Sequence, residues 1–472
     1  MPGRVLIVAY NFPPIGGVGI QRTVKHATYL PRSGWEPVVL TARDPGWGVR
    51  DAGNEAGLPP DLVVVRAFSP EPVKLRRLLG RALRPLRRRP GSGGAGSSNA
   101  VRAGAPAAAG GAIQAPGRLT RGALAVWSTA ARWTFFPDEQ VAWVPFAVRR
   151  GVALHREAPF DAVYSSSPPV SSHLTAALIA RRAGVPWVAD FRDPWIGNAF
   201  STPPPPHHRF FQSRIERRIA RIADSIVMAT GGLVEEFAAR YPEAASRCVV
   251  IPNGYDRADL PKTSELPARP DDGRFHLVYG GSLYGTDELR VFLDGLELLL
   301  ERQPELRDRL AVEFVGQVNL ANRALAARYA TPERLGSVVS FTGFMPHREA
   351  LGRLLGADAL LQLIAAGPGK GRVQGGKLME YIGLDRPILA VVPEGEARAL
   401  LAELKWGIVA DPTPEGVAGG IERLLAAPAP RRRADPRGRY ERVNLAARLA
   451  SVLDAAVERR ARRRAGSERG GR

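Results

Sequence analysis

Along most of this chain, short apolar runs alternate with longer stretches in which apolar positions recur every three or four residues. The runs fall at 5–10, 37–41, 62–66, 162–165, 187–190, 225–229 and 248–251, and again at 276–279, 312–315, 338–341, 359–363, 387–392 and 408–410. Most are continuous rather than alternating, which predicts parallel strands covered on both faces. The intervening stretches read as amphipathic helices: Leu289, Phe292, Leu293, Leu296 and Leu300 share one helical face. Strand-helix alternation throughout predicts an α/β fold.

Two breaks divide the pattern. Residues 89–118 are rich in Gly, Ala, Ser and Pro and lack the apolar content to order themselves, so they read as a disordered insertion. Residues 259–273 mix Pro, Gly and charge and read as a linker. The expected organisation is an N-terminal Rossmann-like domain over 1–258, the linker, a C-terminal domain over 274–430, and a helix with a basic tail over 431–472. Two such domains would face each other across a cleft, with ligands outside the carboxyl ends of the strands.

Composition narrows the class only slightly. At 472 residues, 45% hydrophobic and 24% charged, the chain has the make-up of a soluble globular protein. Its single cysteine, Cys248, allows no internal disulfide and fits a reducing compartment, and a core position is expected for it. No run reaches the roughly 20 apolar residues of a spanning helix. The short run at the start leads into Asn11, Pro13 and Pro14 rather than a cleavage site, so a cytoplasmic chain is expected. The net charge of +20 is concentrated at 74–89 and 459–472. These segments read equally as solvated tails or as a surface for anionic lipid. With Trp127, Trp133, Phe135, Phe136 and Trp143 nearby, the first suggests either a face resting on a membrane or a helical cover with aromatics in its core. No base-reading module accompanies the charge, which disfavours nucleic acid.

The stretch "NFPPIGGVGIQR", residues 11–22, strips side chains just before a helix. Dinucleotide binding would place a glycine at position 22, where Arg22 stands, and a P-loop lacks its lysine. Gly16, Gly17 and Gly19 still permit a ligand to approach bare backbone at a helix N-terminus. The segment "AAGPGKGRVQGGKLMEY", residues 365–381, offers more to an anion: five glycines, the cations Lys370, Arg372 and Lys377, and a helix expected from about Gln374. "VADFRDPW" closes a buried strand with Asp190, Arg192 and Asp193, acids able to take a proton and a cation able to hold an acceptor phosphate. His173 reads as packing, and Asn253–Gly254 as a turn that sets hinge geometry. No Cys/His cluster suggests a metal site.

"NFPPIGGVGIQR", "ADFRDPW", "VIPNGYD", "GGSLYG", "FTGFMP" and "GGKLMEYIGLDRPILAVV" occur in this order along the chain. In that order they resemble the GT-B glycosyltransferases of the family 4-like group, in a bacterial polysaccharide branch. The resemblance implies sugar transfer from a nucleotide diphosphate sugar, a co-substrate rather than a bound cofactor, without a metal. It implies donor contacts at Gly16, Gly17, Gly281, Ser282, Gly343, Phe344, Lys370, Arg372, Gly376 and Lys377, with Glu380 on the ribose. It places catalysis at Asp190, Arg192 and Asp193. Two departures stand out. Arg372 replaces the first glutamate of the family's E-x7-E motif, and Ser282 and Thr286 stand where relatives carry cations. The expected acceptor is a lipid-linked sugar or glycan in cell-envelope polysaccharide synthesis, at the inner membrane face. The alternatives are a nucleotide-sugar 2-epimerase and a non-catalytic nucleotide binder.

Overall fold

The structure is a computed structural model. It describes residues 2–16, 18–43, 45, 55, 57–70, 135–198, 205–260, 272–283, 285–343, 345, 347–427 and 433–469. The expected disordered insertion, the basic run at 74–89, Trp127, Trp133 and most of the linker lie outside the described residues.

Each expected apolar run is a strand. The first seven are β1 (Gly3–Val8), β2 (Trp35–Ala42), β3 (Val63–Ala67), β4 (Ala162–Ser167), β5 (Trp187–Phe191), β6 (Ser225–Met228) and β7 (Cys248–Val250). They form one parallel sheet in the order β3-β2-β1-β4-β5-β6-β7. The other six are β8 (Phe275–Gly280), β9 (Leu310–Val315), β10 (Val339–Gly343), β11 (Ala359–Leu363), β12 (Ile388–Val391) and β13 (Ile408–Ala410). Their sheet, also parallel, runs β10-β9-β8-β11-β12-β13. Strands β4, β5, β6 and β11 are buried along their whole length. This is why the runs are continuous rather than alternating.

The helices that position the sites are α1 (Val18–Tyr29), α2 (Val144–Glu157), α3 (Ser171–Ala183), α4 (Pro206–Ile222), α5 (Gly231–Arg240), α6 (Thr286–Arg302), α7 (Gly376–Gly383), α8 (Glu396–Leu404) and α9 (Arg442–Arg469). All five residues of the amphipathic face read from the sequence of α6 are buried. Helix α9 crosses back to the N-terminal sheet. There Leu445, Leu449 and Leu453 pack with Val5, Ile7, Val24 and Val188, and Asp454 accepts a hydrogen bond from the Trp35 indole at 3.0 Å. Part of the expected basic tail is docked as well: Arg459 donates to the Asp224 carbonyl at 3.2 Å and Arg464 to that of Gly184. The chain therefore crosses between the domains twice. The crossings meet where Tyr255 N–H donates to the Tyr440 carbonyl at 3.1 Å and Arg442 N–H to that of Tyr255 at 2.8 Å. The expected turn at Asn253–Gly254 is extended backbone instead, and Gly254 is what lets the crossings approach, since a Cβ there would press into the Tyr440 carbonyl.

Three aromatic and sulfur positions resolve. Trp143 is fully buried and meets Tyr10 edge-on at 5.2 Å, so it is core rather than membrane-facing. His173 packs 4.5 Å from Phe191, with Nδ1 2.8 Å from Ser165 Oγ, and burial lowers its pKa to about 3, so it is neutral packing. Cys248 is half-buried, with Sγ 3.4 Å from the Ala244 carbonyl, rather than fully in the core.

Candidate functional site

Each sheet reverses its strand order at one place, and the loops leaving the strands there diverge to open a crevice. In the first sheet the reversal lies between β1 and β4. The loops that follow these strands, with the one after β5, line a cavity of about 440 Å³ whose walls include Tyr10, Asn11, Gly16, Pro169, Arg192 and Trp195. All of its lining residues come from the N-terminal domain. Arg192 closes one side: it donates to the Gly19 carbonyl and, through Nε at 3.0 Å and Nη2 at 2.9 Å, grips Asp193. A Cβ at position 19 would lie 2.5 Å from Arg192 Nη1, so the glycine is what lets the guanidinium lie on the helix. Asn11 Oδ1 is buried and has no hydrogen-bond partner among the described residues. Asp138, also on the wall, accepts Ser171 Oγ–H at 2.5 Å, Ser171 N–H at 2.9 Å and Gln140 N–H at 3.1 Å, and so caps α3. Burial raises its pKa against those hydrogen bonds. Asn11 and Asp138 were missed as site residues, because single polar residues in loops carry no periodic signal. Gly16 is on this cavity beside Arg192, and Gly17 is outside the described residues.

Asp190 does not reach the cavity, which corrects its expected catalytic place. It is fully buried, with both carboxylate oxygens engaged. Arg22 Nε donates to Oδ2 at 2.6 Å and Nη2 to Oδ1 at 3.1 Å, the Tyr164 hydroxyl also donates to Oδ2, and Arg22 Nη1 reaches the Pro252 carbonyl at 2.8 Å. Burial works to lower the Arg22 pKa, but the charges and hydrogen bonds of Asp190 and Tyr164 outweigh it and hold the group above its ordinary value. The residue that breaks the dinucleotide fingerprint is thus one half of a buried ion pair, and Asp190 is the other.

In the second sheet the reversal lies between β8 and β11, which brings "GGSLYG" and the Lys370–Lys377 segment together. Three adjacent strands end in glycines at positive φ, which favours glycine: Gly281 at 102°, Gly316 at 135° and Gly343 at 77°; at the first two a Cβ would also clash. Gly281 N–H donates to the Val315 carbonyl at 2.6 Å and Gly316 N–H to that of Gly343 at 3.0 Å, giving a ledge of close-packed backbone. Gly316 belongs to no motif quoted from the sequence and was missed. Phe344 lies outside the described residues.

Lys377 lies over this ledge from the first turn of α7. Its ammonium donates to the Ser282 carbonyl at 2.9 Å and to the Tyr279 hydroxyl, and sits 3.9 Å from the centre of the Tyr279 ring. A Cβ on Gly281 would lie 2.6 Å from Lys377 Cε. Burial pulls the Lys377 pKa down to about 7, against the pull of Glu380 and Glu288. Lys370 Nζ is 3.6 Å from Glu288, and Glu380 is half-buried one turn beyond Lys377. The expected helix from Gln374 begins two residues later, at Gly376, because Gly375 takes φ 76° after a short 3-10 turn over Lys370–Arg372.

Arg372 is corrected too. Its guanidinium is turned to the N-terminal domain, 2.6 Å from Glu236 on α5, and its carbonyl accepts the Thr230 hydroxyl at 3.1 Å. Gly232 N–H donates to Glu396 of α8 at 2.5 Å beside it. The cation expected on the donor instead ties this loop across the domain boundary, which places the Lys370–Lys377 segment at the cleft. Among the described residues no group of three His, Cys, Asp or Glu could hold a metal ion, and no helix is long and apolar enough to cross a membrane.

Comparison with known proteins agrees with this geometry. Residues 100–254 match the family model of the glycosyl transferase 4-like domain. Among solved structures, the lipopolysaccharide outer core galactosyltransferase WaaB in its apo form is similar at 14% identity, covering 96% of this chain and 99% of its own, with a TM-score of 0.53. Anabaena HepE, in complex with UDP and glucose, is similar at 15% identity, covering 98% and 100%, with a TM-score of 0.50. A putative UDP-N-acetylglucosamine 2-epimerase from Listeria monocytogenes is similar at 12% identity, covering 97% and 98%, with a TM-score of 0.52. At these identities the likeness is one of fold, GT-B. No curated protein matches the chain by sequence.

Proposed function

We propose that this chain, with a glycosyl transferase 4-like domain over residues 100–254 and a GT-B fold, is a glycosyltransferase that moves a sugar from a nucleoside diphosphate sugar to an acceptor hydroxyl. The donor would lie at the β8/β11 crevice and the acceptor in the 440 Å³ cavity of the other domain. The observation that carries this reading is Lys377, a half-buried ammonium held over a ledge of glycines at the cleft-facing switch point. It offers a leaving diphosphate a fixed cation in a partly desolvated site, where such a charge acts more strongly than in water. Glu380, one turn on, would accept the ribose hydroxyls. In the transfer, the acceptor oxygen bonds to the anomeric carbon as the bond to diphosphate oxygen breaks. The diphosphate leaves with the electron pair, and Asp193, the half-open acid of the Arg192 pair, takes the proton. No metal or resident cofactor is assigned a part, and the acceptor is a lipid-linked sugar or glycan.

A thermal-shift panel of nucleoside diphosphates tests the donor site. One base should raise Tm by several degrees, since a ligand at 100 times its Kd adds about 2.7 kcal/mol. Glu380→Gln should lose most of that shift. If every diphosphate leaves Tm unchanged, the reading fails. Incubation with the donor sugar and no acceptor should form no new nucleotide sugar; an epimerase would.

The affinity should also depend on pH in a stated sense. Free Lys377 loses its proton near pH 7, and a bound diphosphate raises its pKa, so binding takes up a proton above that pH. Affinity should be highest below pH 7 and fall by up to about tenfold per unit above it, the limit for a single proton. Titration calorimetry in buffers of different ionisation enthalpy should show the uptake at pH 8, and Lys377→Met should abolish it.

A further inference from the structure

The outer face of α4 has no role in the reaction above and an unusual make-up. Phe210 and Phe211 are 54% and 47% exposed and pack on each other at 5.3 Å. Arg209, Arg214, Arg217, Arg218 and Arg221 are exposed on the same helix, and Arg214 lies 4.3 Å over the Phe210 ring. The one acid of α4, Glu216, is buried and paired with Arg240 at 2.8 Å, so nothing on the helix offsets the exposed arginines. Paired phenylalanines among arginines that outnumber the acids of their helix, with Arg221 3.6 Å from Glu243 beyond it, are the composition of a surface that seats at the boundary between anionic headgroups and acyl chains.

The position of the patch adds a second argument. Phe211 meets Phe136 at 5.7 Å, and Phe136 meets Trp195 at 6.4 Å. Trp195 and Pro137, the residue after Phe136, both line the 440 Å³ cavity. A continuous aromatic track thus leads from the exposed end of α4 to the wall of the proposed acceptor cavity. We propose that the outer face of α4 docks on an anionic membrane surface, with Phe210 and Phe211 entering the headgroup region, and that the acceptor is an amphiphile whose apolar part lies along the Phe211–Phe136–Trp195 track. Only the acceptor's route rests on the function proposed above; the docking surface stands on its own.

Sedimentation of the full chain with phosphatidylcholine vesicles containing about one third phosphatidylglycerol tests it. The native chain should bind at low salt and release at high salt, and should bind pure phosphatidylcholine vesicles at least about tenfold more weakly. The pair Phe210→Ser with Phe211→Ser, and separately the pair Arg209→Glu with Arg214→Glu, should each lower partitioning at least about tenfold. Tm and the diphosphate-induced shift should be unchanged. Should the phenylalanine pair lower Tm, the arginine pair, whose side chains are exposed, decides. Native-like binding by both variants, equal binding to uncharged vesicles, or no binding by the native chain overturns the proposal. Vesicle binding without sugar transfer would sink the transfer reaction alone.

Discussion

Lys377→Met should lower sugar transfer by about 10²–10³-fold in kcat/KM, the usual loss when one preorganised donor to a developing anion is removed. The fold should survive, because methionine nearly matches the buried stem and removes a charge that burial already penalises. Lys377→Arg should not rescue. The space over Gly281 fits a narrow stem, with Cε only 2.6 Å from where a Cβ on that glycine would lie, and a guanidinium is broader than an ammonium. Steady-state kinetics alongside thermal melts checks both statements. Transfer within tenfold of the native rate would remove Lys377 from the donor site.

Asp190→Ala should cost about 3–5 kcal/mol of stability, because it strands the fully buried Arg22 guanidinium without its counter-ion. Denaturant unfolding with a signal from the N-terminal domain would measure it. Asp190→Asn should cost less, since the amide oxygen still accepts from Arg22. The point of the pair is the activity of the folded fraction. A catalytic base would lose turnover in both variants, whereas a residue that only pins α1 to β5 loses stability and keeps its rate per folded molecule. We expect the second outcome. Asp193→Asn, by contrast, should lower the rate with little change in stability, because its carboxylate is 40% exposed and paired on the surface with Arg192.

What was legible in the sequence follows from what local patterns can encode. A continuous β-branched or leucine run reports burial on both faces, and runs spaced by amphipathic helices report a parallel sheet. Hence the thirteen strands, their division into seven and six, and the face of α6 could be read without a structure. Glycine-rich loops after such runs pointed to strand ends, and the two switch points fell on two of those loops. The fate of charged side chains was not readable in this way. Asp190, Arg192 and Asp193 lie within four residues, yet the first is sealed against an arginine 168 positions earlier, the second lines a cavity, and the third is half-open and paired with the second. Arg372 and Lys377 look alike in one basic loop, yet one reaches Glu236 across the domain boundary and the other folds down on Gly281. Burial patterns repeat every two or four residues and leave a periodic trace. A charge takes whichever partner the packed chain brings within a few ångströms, and that partner lies at no fixed spacing along the sequence, so only the tertiary structure could assign it.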